Sequence, residues 1–365
     1  MKFIDSLPDR MQALVLYAPN DLRYESIPVP QINEEEILVK IKGCGICAGD
    51  LKALHGAAMF WGGGVLPKWI QEPVTIGHEF VGEIVAIGEA AEARTGLHLG
   101  DMSIAEQIIP CGTCRFCKEG VTWMCEKQTI FGAQKKESDG GMAEYIKYNK
   151  RAVVHKVPAE IPSWQAAMIE PASCAVHTIE RAGIGFNDVV VIAGIGPIGL
   201  CKLQFAKMKN PKMLIAIDLN NKRLQLAKKL GADYVLNPKE IDVVQAVKDL
   251  TDGYGCDIYI HDSGHPSGVR QGLQMVRRHG KFVEFSVFSE ETSVDWSIIG
   301  DRKEITIIGS HISGREGYEV AIRALQSGCL KVDEIVTHRF PLADYIAAFK
   351  VAELAVESIK IVLEP

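Results

Sequence analysis

Residues 189–199 read V-V-V-I-A-G-I-G-P-I-G, and on them the fold turns. Five apolar residues in succession suit a strand buried on both faces. Gly194, Gly196 and Gly199 follow at the G-x-G-x-x-G spacing, with Pro197 and Ile198 opening an apolar helical stretch, 198–209. In a chain with 34 glycines the spacing alone is a weak signal. Its place between strand and helix gives it weight. The first glycine makes the turn, the second lets a pyrophosphate approach the backbone, and the third packs helix on strand. The helix start offers free N–H groups and a positive dipole end. The next apolar run, 213–218, ends in Asp218, whose carboxylate would accept both hydroxyls of an adenosine ribose and repel a 2′-phosphate. That favours NAD over NADP. Arg223, beside Lys222, works against the preference, because a cation there tolerates a phosphate.

Outward from this loop the chain changes character on either side. Apolar strands at 189–193, 213–218, 234–236, 257–261, 281–285 and 305–308 alternate with helical stretches that include 198–209, 221–230 and 269–278. This rhythm predicts a doubly wound parallel sheet. From about 10 to 155 the chain instead reads as β-rich, with runs at 11–17, 36–41, 79–87 and 143–148 bounded by turn residues. After Gly314, helical stretches at 316–326 and 342–354 precede a last strand, I-K-I-V-L, expected to return to the first domain. The 365 residues suit two domains.

Composition narrows the partners. Apolar residues at 47% and charged residues at 24% are ordinary for a soluble globular protein. A net charge of −6 without a Lys/Arg cluster argues against nucleic acid or an anionic membrane. The start, M-K-F-I-D-S-L-P-D-R, carries charges inside any apolar segment and reads as no secretory leader. No window holds 18 uncharged apolar residues, so no membrane-spanning helix is expected. Six of the 10 cysteines are scattered, as befits reduced thiols, and the cytoplasm is the expected compartment.

The other four cysteines are not scattered. Residues 111–125 read C-G-T-C-R-F-C-K-E-G-V-T-W-M-C, placing Cys111, Cys114, Cys117 and Cys125 where one folded loop can wrap a tetrahedral zinc ion. Disulfides are the alternative, disfavoured by the crowded three-residue spacings. Four thiolates leave no open coordination position, so chemistry must lie elsewhere. Gly43-Cys44-Gly45-Ile46-Cys47-Ala48-Gly49-Asp50 and Gly77-His78-Glu79 offer a second set. Cys47, His78 and Glu79 would leave the fourth position of a zinc ion to water or an alcohol. Neighbours on a strand point oppositely, so His78 and Glu79 reach one ion only if the chain turns, which Gly77 permits. Without that turn Glu79 stands behind the metal, and Glu170 is the carboxylate.

These motifs, in this order and over essentially the whole chain, resemble the zinc-dependent medium-chain alcohol and polyol dehydrogenases. The resemblance implies an α/β protein: a GroES-like β-rich catalytic domain, 1–160 and 310–365, and a Rossmann NAD-binding domain, 161–309. A structural zinc lobe spans about 106–130, giving one catalytic and one structural Zn²⁺ per subunit. It also implies catalytic zinc at Cys47, His78 and Glu79, structural zinc on the four cysteines, and a homodimer or homotetramer. Ala167-Met168-Ile169-Glu170-Pro171 is similar to the polyol and sorbitol branch, in which Glu170 would bind the metal directly or through water; Cys174 is the competing candidate. C-A-G-D-L-K-A-L-H-G followed by F-W-G-G-G is most similar to members acting on four-carbon sugar alcohols such as erythritol and L-threitol. NAD-linked oxidation of a secondary hydroxyl to a ketose is therefore expected. L-Threonine 3-dehydrogenase-like and sorbitol dehydrogenase-like activities, or a silent NAD-binding protein, are the alternatives.

One position departs from the family. A Ser or Thr commonly stands two residues after the first zinc cysteine and passes the alcohol proton outward; here it is Gly49. Lys52 or His55 could take over that role, or Lys52 could be a solvated charge. Cys⁻, neutral His and Glu⁻ already balance Zn²⁺, so Glu170 is expected to leave the metal or stay behind a water when substrate binds. Segment 55–72, with Met59, Phe60, Trp61 and Trp69, is expected either to wall the substrate pocket or to fill the core. Asp50, Lys52 and Glu170 could meet the polyol's other hydroxyls.

Overall fold

The computed structural model describes residues 1–4, 7–134, 138–288 and 290–365; Asp5 and Ser6 of the amino-terminal stretch lie outside the described residues. The chain forms two compact units, Met1–Glu170 with Tyr318–Pro365, and Pro171–Gly317.

The first unit is built on an eight-stranded sheet whose main path runs Val154–Lys156, Met102–Ala105, Glu79–Ile87, Ile37–Gly45, Lys360–Glu364, Val336–Pro341. Its central strands are buried on both faces, which explains why their sequences run apolar rather than alternating. Phe80, Phe131 and Tyr148 pack as an aromatic trio with centroids 5.2 to 6.0 Å apart, in the core just behind His78 and Glu79. The carboxyl-terminal strand pairs antiparallel with Ile37–Gly45, Val362 facing Gly45. Gly45 in turn faces Glu79. Three segments far apart in sequence thus converge on one spot: 45–47, 78–79 and 360.

The second unit carries a six-stranded sheet, all parallel, in the order Tyr234–Leu236, Met213–Ile217, Val189–Ala193, Cys256–His261, Val276–Glu284, Thr306–Gly309. The helices Pro197–Met208, Asn221–Lys229 and Pro266–Met275 join its strands. This is the α/β, doubly wound arrangement expected from the 189–199 loop. One expectation is corrected. The helical stretch 269–278 stops at Met275, and Val276 already belongs to the strand. No helix among the described residues is long and apolar enough to cross a membrane.

Candidate active site

Cys47 is the N-cap of the helix Ala48–Leu54. Its Sγ accepts the Gly49 N–H at 3.3 Å, while Asp50 Oδ2 accepts the Cys47 N–H at 2.8 Å, a reciprocal cap that fixes the sulfur's direction. The chain turns at Gly77, φ +98°, where a Cβ would meet Met142 Cγ at 2.6 Å and Cys44 Sγ at 2.9 Å. The turn lets His78 and Glu79 both reach Cys47: one donor atom from each of the three lies within 4.8 Å of the others. His78 Nδ1 faces Asp50 Oδ1 at 3.4 Å. Burial would lower the His78 pKa, but the charges of Asp50 and then Cys47 outweigh it and hold the imidazole well above its usual value. A cation would replace that proton.

Glu79 does not stand alone. Lys360 Nζ donates to its two oxygens at 2.7 and 2.5 Å and to Ile46 O at 3.0 Å, with both side chains buried. A Cβ on Gly45 would stand 2.0 Å from Glu79 Oε2, so glycine there makes room for the carboxylate. Lys360 was not singled out in the sequence, though a lysine inside the apolar terminal strand is a visible signal of a buried partner. Asp50 is tied to the same cluster: Oδ2 accepts the Cys47 N–H and Oδ1 faces His78 Nδ1.

Glu170, buried, is outside the three-residue cluster yet close enough that its charge raises the Lys360 pKa. Cys174 belongs to the second unit. The sequence-based charge balance omitted Lys360. With it, and with buried Asp50 beside His78, Cys47⁻, Asp50⁻, Glu79⁻ and Lys360⁺ already sum to −2, which matches a divalent cation, so Glu170⁻ at the metal would leave the site at −1.

Gly49 borders the cluster. A Cβ there would sit 3.6 Å from Cys47 Sγ, 3.7 Å from Phe60 Cζ and 3.9 Å from His78 Cε1, ordinary contacts on a backbone that does not demand glycine. The missing side chain therefore leaves room beside the donors. Phe60 walls that room, whereas Trp61 turns away and donates to Ala53 O at 2.7 Å. His55 is exposed, its ring nitrogens 2.9 Å from Asn20 Oδ1 and 2.8 Å from Glu353 Oε1, so it is committed to the surface. Lys52, half-buried, has its pKa lowered by that burial, with Cys47 pushing it back up.

The four cysteines of 111–125 form a second cluster, with all donor atoms within 4.8 Å of one another. Sulfur separations of 3.5 Å (Cys114–Cys117), 3.9 Å (Cys114–Cys125) and 4.0 Å (Cys111–Cys117) are no disulfides. They bracket the roughly 3.8 Å edge of a tetrahedron with 2.3 Å metal–sulfur bonds. The hydroxyl and N–H of Thr113, then the Cys114 N–H, pull the Cys111 thiol down to about 5, while burial pushes Cys117 up to about 12. A cation would hold all four as thiolates.

In the second unit Gly194, φ +102°, presses on the backbone of Asp262, and a Cβ on Gly199 would meet Gly194 O at 2.1 Å. A Cβ on Gly196 would meet nothing within 4 Å. Above that glycine, at the start of the helix Pro197–Met208, is the open cradle a pyrophosphate requires. Asp218 is pinned beside it: Oδ2 accepts the Ile195 N–H at 2.6 Å and Oδ1 the Asn220 N–H at 2.8 Å. Arg223 lies in the first turn of the helix capped by Asn220.

The model of the alcohol dehydrogenase GroES-like domain matches residues 33–159, and that of the zinc-binding dehydrogenases matches 197–327. The chain belongs to the zinc-binding alcohol and polyol dehydrogenases, oxidoreductases acting on CH–OH groups. It is 45% identical over 361 residues, 99% of each chain, to the erythritol/L-threitol dehydrogenase of Mycolicibacterium smegmatis. It is 37% identical over 328 residues, 89% of this chain and 90% of the other, to the L-threonine 3-dehydrogenase of Pyrococcus furiosus. An Escherichia coli CFT073 structure described as a short chain alcohol dehydrogenase complexed with NADH superposes with a TM-score of 0.86 at 27% identity, covering 98% of this chain and all of the other.

Proposed function

We propose that the protein oxidises a secondary hydroxyl of a four-carbon polyol such as erythritol or L-threitol to the ketose, with NAD as hydride acceptor. The observation that carries this reading is the 45% identity to an enzyme of that name over 99% of both chains. Cys47, His78 and Glu79, with Glu170 at hand, would hold one zinc ion, and Cys111, Cys114, Cys117 and Cys125 another. Bound zinc would supply Lewis acidity that makes a substrate hydroxyl more acidic, and NAD would take the hydride.

The chain's own residues set the conditions for that step. Asp50 occupies His78 Nδ1 and leaves Nε2 as the donor. Lys360 holds Glu79 and offsets one of the negative charges gathered around the donors. Gly49 opens room for a secondary carbon with a substituent on each side. Lys52 takes the role of proton acceptor that a side chain at 49 commonly fills. Gly194, Gly196, Pro197, Ile198 and Gly199 would cradle the pyrophosphate, and pinned Asp218 would favour NAD over NADP even with Arg223 near. A homodimer or homotetramer is the proposed assembly.

The test is a panel of erythritol, L-threitol, sorbitol and L-threonine with NAD or NADP, followed by fluorescence of the reduced cofactor. The four-carbon polyols should give the highest kcat/KM, with NAD preferred. Faster turnover of L-threonine would favour the second reading, which the 37% identity to an L-threonine 3-dehydrogenase supports. Preference for NADP would overturn the role given to Asp218.

A further inference from the structure

In the second unit a buried imidazole joins a carboxylate to an exposed hydroxyl. His261 ends the strand Cys256–His261 and is 0% exposed, ringed by Tyr259, Phe282 and Phe288 at centroid distances of 6.3, 6.2 and 5.5 Å. Its Nδ1 lies 2.8 Å from Glu284 Oε2 and 3.1 Å from Ser286 Oγ, and its Nε2 lies 2.8 Å from Ser263 Oγ. Glu284 faces His261 in register on the next strand, and its Oε1 accepts the Ser286 N–H at 2.6 Å. The Ser286 hydroxyl donates to His261 O at 3.1 Å. Burying an imidazole among aromatic rings is costly unless both nitrogens are bonded. Here both are, and the outer end of the chain is Ser263, exposed to solvent.

The place of Ser263 is decided by the sheet. Strand order reverses between Val189–Ala193 and Cys256–His261, the crevice where open parallel sheets bind ligands. A Cβ on Gly194 would come within 2.7 Å of Ser263 N, so Ser263 adjoins the glycine loop. Asp218 follows Met213–Ile217, on the opposite flank of Val189–Ala193. A dinucleotide has one ribose on each side of its pyrophosphate. With the adenosine ribose at Asp218, the second falls on the Ser263 side.

We propose that the Ser263 hydroxyl, aimed by His261 and Glu284, accepts a hydrogen bond from a hydroxyl of the cofactor's second ribose, the one that bears nicotinamide. The inference rests on the NAD reading above. Polarity selects the ribose over a phosphate. In the neutral imidazole with its N–H toward the Glu284 carboxylate, Nε2 accepts the Ser263 hydroxyl proton, and Ser263 Oγ, which also accepts the His265 N–H at 3.4 Å, keeps one lone pair. Ser263 Oγ is then an acceptor facing outward, and phosphate oxygens have no proton to give. Ser263 is a binding residue; His261 and Glu284 are positioning residues.

Calorimetric titration of the metal-replete protein with NADH, ADP-ribose and ADP tests this, with thermal melts run in parallel. ADP-ribose has the second ribose without nicotinamide, and ADP has neither. Ser263→Ala should raise Kd for NADH and ADP-ribose about fivefold, the worth of one neutral hydrogen bond, and leave ADP unchanged. Ser263→Thr should restore binding. His261→Asn should show the same pattern, and adding Ser263→Ala to it should cost nothing more. Unchanged NADH binding in Ser263→Ala, or an equal loss for ADP, would overturn the proposal. A wild-type protein that binds none of the three would overturn the cofactor reading and this inference with it.

Discussion

Lys360 is 3% exposed and Glu79 1% exposed, and their ion pair lies against Cys47 and His78. Removing one partner of such a pair strands the other's charge. Lys360→Ala should therefore lower stability by about 3–5 kcal/mol in urea unfolding, and the double variant Lys360→Met/Glu79→Gln by less. Burial pulls the lysine's pKa down, but Glu79 and then Cys47 override it and raise it above 10.5. The unfolded chain thus loses this proton first. The stabilisation is complete below pH 10.5 and fades as pH climbs past it, a limb absent from the double variant. At Lys52 the readout is kinetic: Lys52→Ala should lower kcat by about 100-fold and remove the limb on which the rate falls as pH drops and protonates the lysine. An unchanged profile would remove Lys52 from the reaction. Gly49→Ala should fold normally, since its methyl meets only ordinary contacts, yet raise KM for the polyol by occupying the room beside Cys47 and His78.

Elements were legible where their cause is local. The strand Val189–Ala193, its glycines and Asp218 could be read because turn, loop and helix start follow within a few residues. The strand at 36–41 was recognised, though it runs on as Ile37–Gly45 to the site itself. What escaped is long-range. The helix Pro266–Met275 gives way to a strand at Val276, and there Lys303 Nζ, from far downstream, caps the carbonyls of Leu273, Gln274 and Val276 at 2.7, 2.9 and 2.6 Å. The periodicity of 269–278 contains no trace of that lysine. The strands Asp21–Pro28 and Val336–Pro341 were missed because their exposed, polar residues break the apolar pattern. Lys360 was missed as a partner because only the pairing of Lys360–Glu364 with Ile37–Gly45 brings it to Glu79. The cysteine loop is the converse case, a cluster made by spacing alone. Cys114→Ser should release its metal and expose 111–125 to limited proteolysis while the rest of the chain stays resistant.

At the scale of the whole molecule, each unit has its own source of pH sensitivity. In the second unit burial, then Arg181 and His311, lowers the His177 pKa to about 4, and burial lowers that of His311 as well. The unfolded chain protonates His177 near pH 6.5, the folded chain only near 4. Its contribution to stability is therefore intact above 6.5 and lost as pH falls toward 4. His177→Gln should flatten that part of the melting-temperature profile. The first unit carries both clusters of candidate metal ligands, and on them the functional reading depends. Zinc per chain, measured by inductively coupled plasma mass spectrometry in the wild type and in Cys47→Ser, tests it most directly. Two zinc ions should fall to one, with the four-cysteine site still filled. A wild-type chain that holds only one zinc, or a Cys47→Ser chain that keeps both, would contradict the account.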